Sequence, residues 1–169
     1  MKKILSLLGT ITLIGTSTTN LVACNKTQYS EDDLKKEKEK HKIDTANQEI
    51  KNNLEWIAPQ ETPFNQIDNK YYFVVWRGDE NTNWRIIKFK NINFSERRKV
   101  LDTQEDYELA LTRLGDNLFR VKIGAVRPIT SWSQDDGTYF KSVYRWKIDK
   151  NIPRLEVNDK TGEIKVERE

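Results

Sequence analysis

The fold is decided by the run Tyr71-Tyr72-Phe73-Val74-Val75-Trp76, which joins aromatic and β-branched side chains without a polar break. Such residues favour extended backbone, and an apolar run without alternation indicates a strand that is buried on both faces. Turn-forming residues follow at Arg77–Asn83, and Trp84–Lys90 then has the partial alternation of a second strand. Together the two runs predict an antiparallel hairpin with a long loop.

Further strands are expected towards the C-terminus. Alternation in Leu118–Ile123 and the aromatic run Tyr139–Ile148 each indicate a strand. We expect these two strands to pair with each other through the loop Ser131–Gly137. A last short hairpin is predicted from Leu155–Val157 and Ile164–Val166, which flank a run of turn residues.

Two helices are predicted to pack on the strands. The first covers residues 46–56, begins at a capping box formed by Thr45 and Gln48, and carries the apolar stripe Ile50, Leu54 and Ile57. The second begins at Thr103-Gln104-Glu105-Asp106, ends at Gly115, and has an apolar side formed by Tyr107, Ala110, Leu111 and Leu114. The pattern predicts an α+β fold, with a twisted antiparallel sheet of about six strands and one or two packed helices.

The first 23 residues have the composition of an export signal. Lys2 and Lys3 precede an apolar centre of about 11 residues, Ile4–Ile14, and a small residue, Ala23, stands at the end. The apolar centre is too short for a bilayer core of ~30 Å, which takes about 20 residues of helix. Residues 1–23 are therefore expected to be a signal peptide that is removed.

The end of this leader is its most specific part. Leu21-Val22-Ala23-Cys24 resembles the lipobox of bacterial lipoproteins, and Leu8–Ser17 is similar to the leaders of mollicute lipoproteins. The resemblance implies cleavage between Ala23 and Cys24, and attachment of a diacylglyceryl group to the Cys24 sulfur. It places the mature protein on the extracytoplasmic face of the cell membrane. A plain secretory signal with a chance cysteine, and an uncleaved anchor, are the alternatives.

Residues 24–44 are expected to be a polar tether between the lipid and a single domain at residues 45–169. Acids come first and bases later in Glu31–Lys40, which predicts a solvated helix, and Ser30 is a suitable N-cap. His41, the only histidine, lies in this tether. We expect no metal or catalytic role for it.

Composition argues against several function classes. Loss of Lys2 and Lys3 with the leader lowers the net charge by two, from +3 to +1, so no nucleic-acid partner is expected. The only Cys and the only His stand before residue 45, so a Cys–His or Ser–His pair in the domain is not expected. We expect no cofactor, no metal and no catalysis. A carboxylate-dependent surface enzyme remains an alternative, with the acids Asp79, Glu80, Asp135 and Asp136.

The aromatic residues point to a binding surface. Trp132 stands between two serines in a loop and is expected to be exposed, and Arg85 and Arg145 lie on strand faces. An aromatic surface with bases suits an anionic or sugar partner, and plain core packing is the competing interpretation. The favoured function is a lipid-anchored, non-catalytic module that binds a protein or carbohydrate. A purely structural envelope lipoprotein is the other alternative.

Overall fold

A computed structural model of the chain describes residues 28–113 and 118–167. The predicted signal peptide, its cleavage and lipidation site at Ala23 and Cys24, and the last residues of a predicted helix, Leu114 and Gly115, lie outside the described residues. The helices are α1 (Glu31–Lys40) and α2 (Gln48–Asn53), with 3-10 turns at Pro59–Glu61 and Pro63–Asn65. The strands are β1 (Leu54–Trp56), β2 (Tyr71–Trp76), β3 (Arg85–Lys90), β4 (Arg98–Gln104), β5 (Tyr107–Thr112), β6 (Leu118–Lys122), β7 (Thr130–Ser131), β8 (Phe140–Trp146), β9 (Leu155–Val157) and β10 (Ile164–Val166).

The predicted α+β class is confirmed. The described strands are antiparallel and form three sheets, ordered β1-β8-β2-β3, β4-β5-β6-β7 and β9-β10, where the sequence pattern predicted one larger sheet. We call the first two sheet A and sheet B. The β2–β3 hairpin and the β9–β10 hairpin are both present as predicted.

Strand β8 lies at the centre of sheet A, between β1 and β2. The expected pairing of this strand with Leu118–Ile123 is therefore wrong, because β6 pairs with β5 and β7 in sheet B instead. Val143 faces one core while Tyr144 and Trp146 face another. A strand that is apolar on both faces needs a covered place in the sheet, and neighbouring β2 has the same character.

The predicted helix from Thr103 to Gly115 is wrong. Its first residues complete β4, Glu105 with its positive φ of 50° forms the turn with Asp106, and β5 follows. The apolar residues that matter alternate along the chain as in a strand, because Tyr107, Leu109 and Leu111 all contact the core between the sheets. A helix would have placed Leu109 off the apolar stripe, whereas a strand buries it completely.

The helix predicted over residues 46–56 is shorter. Asn47 rather than Thr45 is its N-cap, since its side chain accepts a hydrogen bond from the Ile50 amide at 3.1 Å. The helix ends at Asn53, and strand β1 follows. Leu54 and Trp56 lie on the same face of β1, where they are paired with Trp146 and Tyr144 of β8. The apolar spacing of this segment fits a helix and a strand in succession.

Three apolar clusters give the order of the layers. Phe73, Tyr144 and Trp146 of sheet A form one cluster with α2, residues before it, and the β9–β10 hairpin. The opposite face of sheet A packs on Leu109, Leu111 and Leu118 of sheet B to form the central core. The outer face of sheet B carries a small third cluster of Ala110, Phe119 and Val121. The layers therefore run from the helices through sheet A and sheet B to the chain beyond β6.

Arg120 joins the two sheets, a role that sequence reasoning did not assign. Its guanidinium carbon lies 3.6 Å from the ring centre of Tyr107 and 4.0 Å from that of Tyr139, and its Nε donates to the Gly78 carbonyl. The residue is only 3% exposed. The free-energy cost of burying this cation is offset by its contacts with two aromatic faces and a backbone hydrogen-bond acceptor.

Candidate interaction surface

The predicted aromatic–basic surface is not present at Trp132. This side chain is 6% exposed and belongs to the central core, where its ring centre lies 5.9 Å from that of Phe64. The expectation that it is exposed is therefore wrong. The flanking serines indicated a solvated loop. Instead, the Trp132 amide donates a hydrogen bond to the Leu118 carbonyl, which holds this segment against sheet B.

The structure also separates the two arginines of the predicted surface. Arg85 lies opposite Trp76 at one end of β2, and Arg145 lies opposite Tyr72 near the other end. Each is paired with a carboxylate: Arg85 Nη2 lies 3.1 Å from Asp102, and Arg145 Nη2 lies 2.7 Å from Glu55. These residues do not form one binding site.

The four carboxylates of the enzyme alternative take part in loop structure. Asp135 is buried and accepts hydrogen bonds from the backbone amides of Gly137, Tyr139 and Phe140. Asp136 accepts from Thr138, Asp79 accepts from Asn81, and Glu80 accepts from the Tyr139 hydroxyl at 3.3 Å. Among residues 28–113 and 118–167, no group of three or more His, Cys, Asp and Glu side chains is arranged to hold a metal ion.

The segment before α2, predicted to be a tether, packs on sheet A. Lys38 of α1 donates to Glu55 and to Glu61, each at 2.7 Å, and Arg145 donates to the second oxygen of Glu55. We call Lys38, Glu55, Glu61 and Arg145 the ion cluster. Burial alone would raise the pKa of Glu55, but the hydrogen bonds from Lys38 and Arg145 more than offset it, so this pKa is lowered.

Aromatic contacts hold the same segment. The His41 ring stacks on Trp56 with centres 4.2 Å apart, and the Tyr29 ring meets Trp56 edge-on at 6.4 Å. Tyr29 also exchanges two backbone hydrogen bonds with the Gln60 side chain, and Ile43 is buried. The predicted boundary at residue 45 therefore does not separate a free tether from the domain, because among the described residues Tyr29 already packs on Trp56. The N-cap at Ser30 is confirmed by the 3.2 Å hydrogen bond from the Asp33 amide.

The most exposed apolar side chains lie on the opposite side, in the β6–β7 loop (residues 123–129). Val126 is 85% exposed, Ile129 54% and Ile123 50%. Most large aliphatic side chains of the described chain are covered, so three in one short loop form a distinct feature. Exposed apolar area gathered in one place marks a contact surface more often than scattered single residues do.

This loop has a defined conformation. The amides of Ala125 and Ile129 donate to Lys122 and Arg120 at 2.9 Å each, and Arg98 of β4 donates to the Ala125 carbonyl at 2.8 Å. Gly124 supplies the positive φ of 79° that the turn requires. Ala125 packs on the third cluster, so Val126 is the residue that points outwards from a fixed support.

The loop has charged neighbours of both signs. Exposed Glu105 and Asp106 lie at its first end, where the Asp106 carbonyl accepts from the Ile123 amide at 2.9 Å. Lys122 and Arg127 are exposed beside the three aliphatic residues, and Arg98 lies beneath it, 3.1 Å from Glu108. An open groove continues from this point along β4 and the chain before it, lined by Asn93, Phe94, Ser95, Glu96, Arg98, Lys99 and Val100. The loop supplies the apolar part of this surface, and the groove beside it is lined mainly by polar side chains.

Comparison of the chain with protein-family models, with curated proteins and with solved structures finds no match in any of the three. Within the part of the chain that the structure describes, no helix combines the length and the apolar content of a membrane span.

Proposed function

We propose that the protein is a bacterial lipoprotein, attached to the extracytoplasmic face of the cell membrane through Cys24, and that its folded part is a non-catalytic interaction module. The observation that carries the interaction role is the β6–β7 loop, which holds Ile123, Val126 and Ile129 exposed on an ordered support. A fixed apolar surface binds at a lower entropic cost than one that must first become ordered.

The anchoring part of the proposal is supported by sequence. Leu21-Val22-Ala23-Cys24 supplies the sulfur nucleophile at the end of an export leader. Two acyl chains hold a protein far more firmly than one, since each buried CH₂ contributes ~0.8 kcal/mol. Mass spectrometry of the membrane fraction of cells that make the protein natively should find a chain that begins at Cys24 and carries a diacylglyceryl mass. A chain that still bears Met1, or a Cys24→Ser variant that is processed and membrane-bound as before, would contradict the anchor.

The interaction part is tested by a matched pair of substitutions. Val126→Asp and Ile67→Asp each place a charge on an exposed aliphatic position, and only the first lies in the β6–β7 loop. Purified chains covering residues 28–169 would be compared for binding to extracellular material from the same cells. We expect Val126→Asp to remove a binding partner that Ile67→Asp retains. Equal retention by both variants would refute the loop as the interaction surface.

A further inference from the structure

The N-terminal segment and the β6–β7 loop lie on opposite outer layers. Tyr29 packs on Trp56, in the cluster that covers the face of sheet A away from sheet B. Ala125 packs on the face of sheet B away from sheet A. With about 10 Å between packed layers, Tyr29 and the loop are separated by about 25 Å or more along the stacking direction.

The chain between Cys24 and Tyr29 is short. Five residues reach at most about 18 Å, whatever their conformation. The docking of α1 on sheet A matters here, because a free segment up to residue 44 would have allowed a reach of about 70 Å. The ion cluster and the stacking on Trp56 therefore convert most of the expected tether into a part of the folded body.

We infer that the β6–β7 loop faces away from the bilayer that anchors the protein, and that its occupant is a protein with apolar and acidic side chains. This inference rests on the lipid anchor of the proposed function. Insertion of Val126 into the anchoring bilayer would require the outer face of sheet B to face the lipid. Tyr29 would then stand about 25 Å above the surface, which exceeds the reach of the chain from Cys24.

The chemistry of the surface favours a protein among external partners. Its centre is aliphatic, whereas sugars are bound chiefly by aromatic stacking, and all five tryptophans are buried. Exposed Lys122 and Arg127 flank the aliphatic centre, and Glu105 and Asp106 adjoin it at Ile123. Arg127 directly follows Val126 in the chain, and a base at this part of the rim selects a carboxylate on the partner.

The orientation can be measured without relying on native lipidation. A chain that starts at Cys24 is coupled through its thiol to a maleimide phospholipid in nanodiscs. A fluorophore is attached at p-acetylphenylalanine placed at position 126 or, as the matched control, at exposed position 36 on α1. We expect energy transfer to an acceptor lipid to be about twofold or more higher from position 36, given the separation of ~25 Å. Equal transfer from both positions, or quenching of position 126 by brominated acyl chains, would overturn the inference.

Lengthening the connection provides the second control. Insertion of 20 Gly and Ser residues after Lys26 adds a root-mean-square length of about 25 Å. The difference in energy transfer between positions 36 and 126 should then shrink, because the folded domain can rotate relative to the bilayer. If the inserted chain and the original chain give the same difference, the short connection is not what orients the domain and the inference fails.

The partner is tested by photo-crosslinking on native cells with p-benzoylphenylalanine at position 126. We expect an adduct with a different protein, which is lost when Arg127→Glu reverses the charge at the rim and is kept with Lys36→Glu. An adduct with lipid, an adduct with a second copy of this chain, or no adduct at all contradicts the inference. A failed anchor is recognised separately, since it appears as an unmodified Cys24 in the mass spectrum whatever the nanodisc result.

Discussion

The two outer layers of the molecule cover their sheets by different chemistry. On sheet A, the charged segment 29–43 is held by Lys38 of the ion cluster and by two rings on Trp56, while most of its other charged side chains face solvent and pair with near neighbours in the chain. On sheet B, a short loop packs the partly buried Ala125 on the third cluster and leaves Val126 almost fully exposed. The charged segment thus contacts the domain through a few side chains and keeps a solvated outer face, while the apolar loop retains surface for a partner.

Composition predicts one of these two segments better than the other. The solvated helix expected for Glu31–Lys40 is present and has no buried residue. Large aliphatic residues such as Ile123, Val126 and Ile129 are more often found in the core. Exposed charge pairs contribute little, but the Lys38 and Glu55 side chains are about three-quarters covered, where hydrogen-bonded charges contribute more. Polarity alone therefore predicts neither the docking of α1 through Lys38 nor the exposure of the β6–β7 loop.

The largest effect is expected beneath the N-terminal segment. Trp56→Ala removes the ring on which both Tyr29 and His41 pack, and should lower the free energy of unfolding by about 3–5 kcal/mol, as for other buried aromatic truncations. Urea unfolding followed by circular dichroism measures this. Ile67→Ala is the control, with an expected change below about 0.5 kcal/mol because Ile67 is exposed. A loss below about 1 kcal/mol for Trp56→Ala would mean that the segment is not packed there.

Beneath the loop, Phe119→Ala should destabilise the protein by about 3 kcal/mol, since this side chain is the largest in the third cluster. Hydrogen exchange should also accelerate at the Ala125 and Ile129 amides, which hold the loop in place. The α1 amides serve as the internal reference, and their protection relative to global unfolding should be unchanged. Faster exchange in α1 instead would show that the two layers are not independent.

A smaller effect is expected in the ion cluster, with a defined pH dependence. The folded-state pKa of Glu55 lies below its ordinary value of 4.5, so the unfolded chain binds the proton more tightly. This contribution is complete above about pH 4.5 and is lost as the pH falls through the lower folded-state pKa. Glu55→Gln should cost about 1–2 kcal/mol at pH 7 and flatten this part of the stability curve.

The control for the ion cluster is Glu39→Gln, because Glu39 is exposed and pairs only with neighbouring Lys42 among the ion pairs of the described residues. This variant should retain the acid-dependent loss. If Glu55→Gln keeps the full pH dependence between pH 3 and 5, the lowered pKa is not the source of it.

The smallest effect on stability belongs to the exposed loop. Val126→Ser should change the free energy of unfolding by less than about 0.5 kcal/mol, because its side chain has almost no contacts to lose. Differential scanning calorimetry is sufficient to measure this. A loss above about 1.5 kcal/mol would show that Val126 is covered and would remove the proposed interaction surface.

Sequence patterns predicted the elements whose partners lie nearby in the chain. The β2–β3 and β9–β10 hairpins and the N-cap at Ser30 follow from local residue types, and all are present. Tyr107, Leu109 and Leu111 fit a strand, while Tyr107, Ala110 and Leu111 fit a helix. The choice between strand and helix depends on long-range packing, because Leu109 is part of the central core and only a strand places it there.

The candidate surface could not be derived from sequence. The exposure of Trp132 depends on whether its loop packs against sheet B. The exposure of Val126 depends on which face of that sheet remains uncovered. Both are consequences of long-range packing. One signal was available, since Gly124-Ala125-Val126-Arg127-Pro128 combines turn residues with an aliphatic and a basic side chain.

The most direct test of the account is hydrogen exchange of α1 in the chain covering residues 28–169, resolved by residue at pH 7. The docked arrangement predicts that the Leu34 and Glu37–Lys38 amides are protected at least about 100-fold above random-coil rates, well beyond what an isolated helix of ten residues sustains. It also predicts that this protection disappears in Trp56→Ala. Random-coil exchange throughout Glu31–Lys40, with sheet A fully protected, would show that this segment is a free tether, and the orientation of the loop would no longer follow.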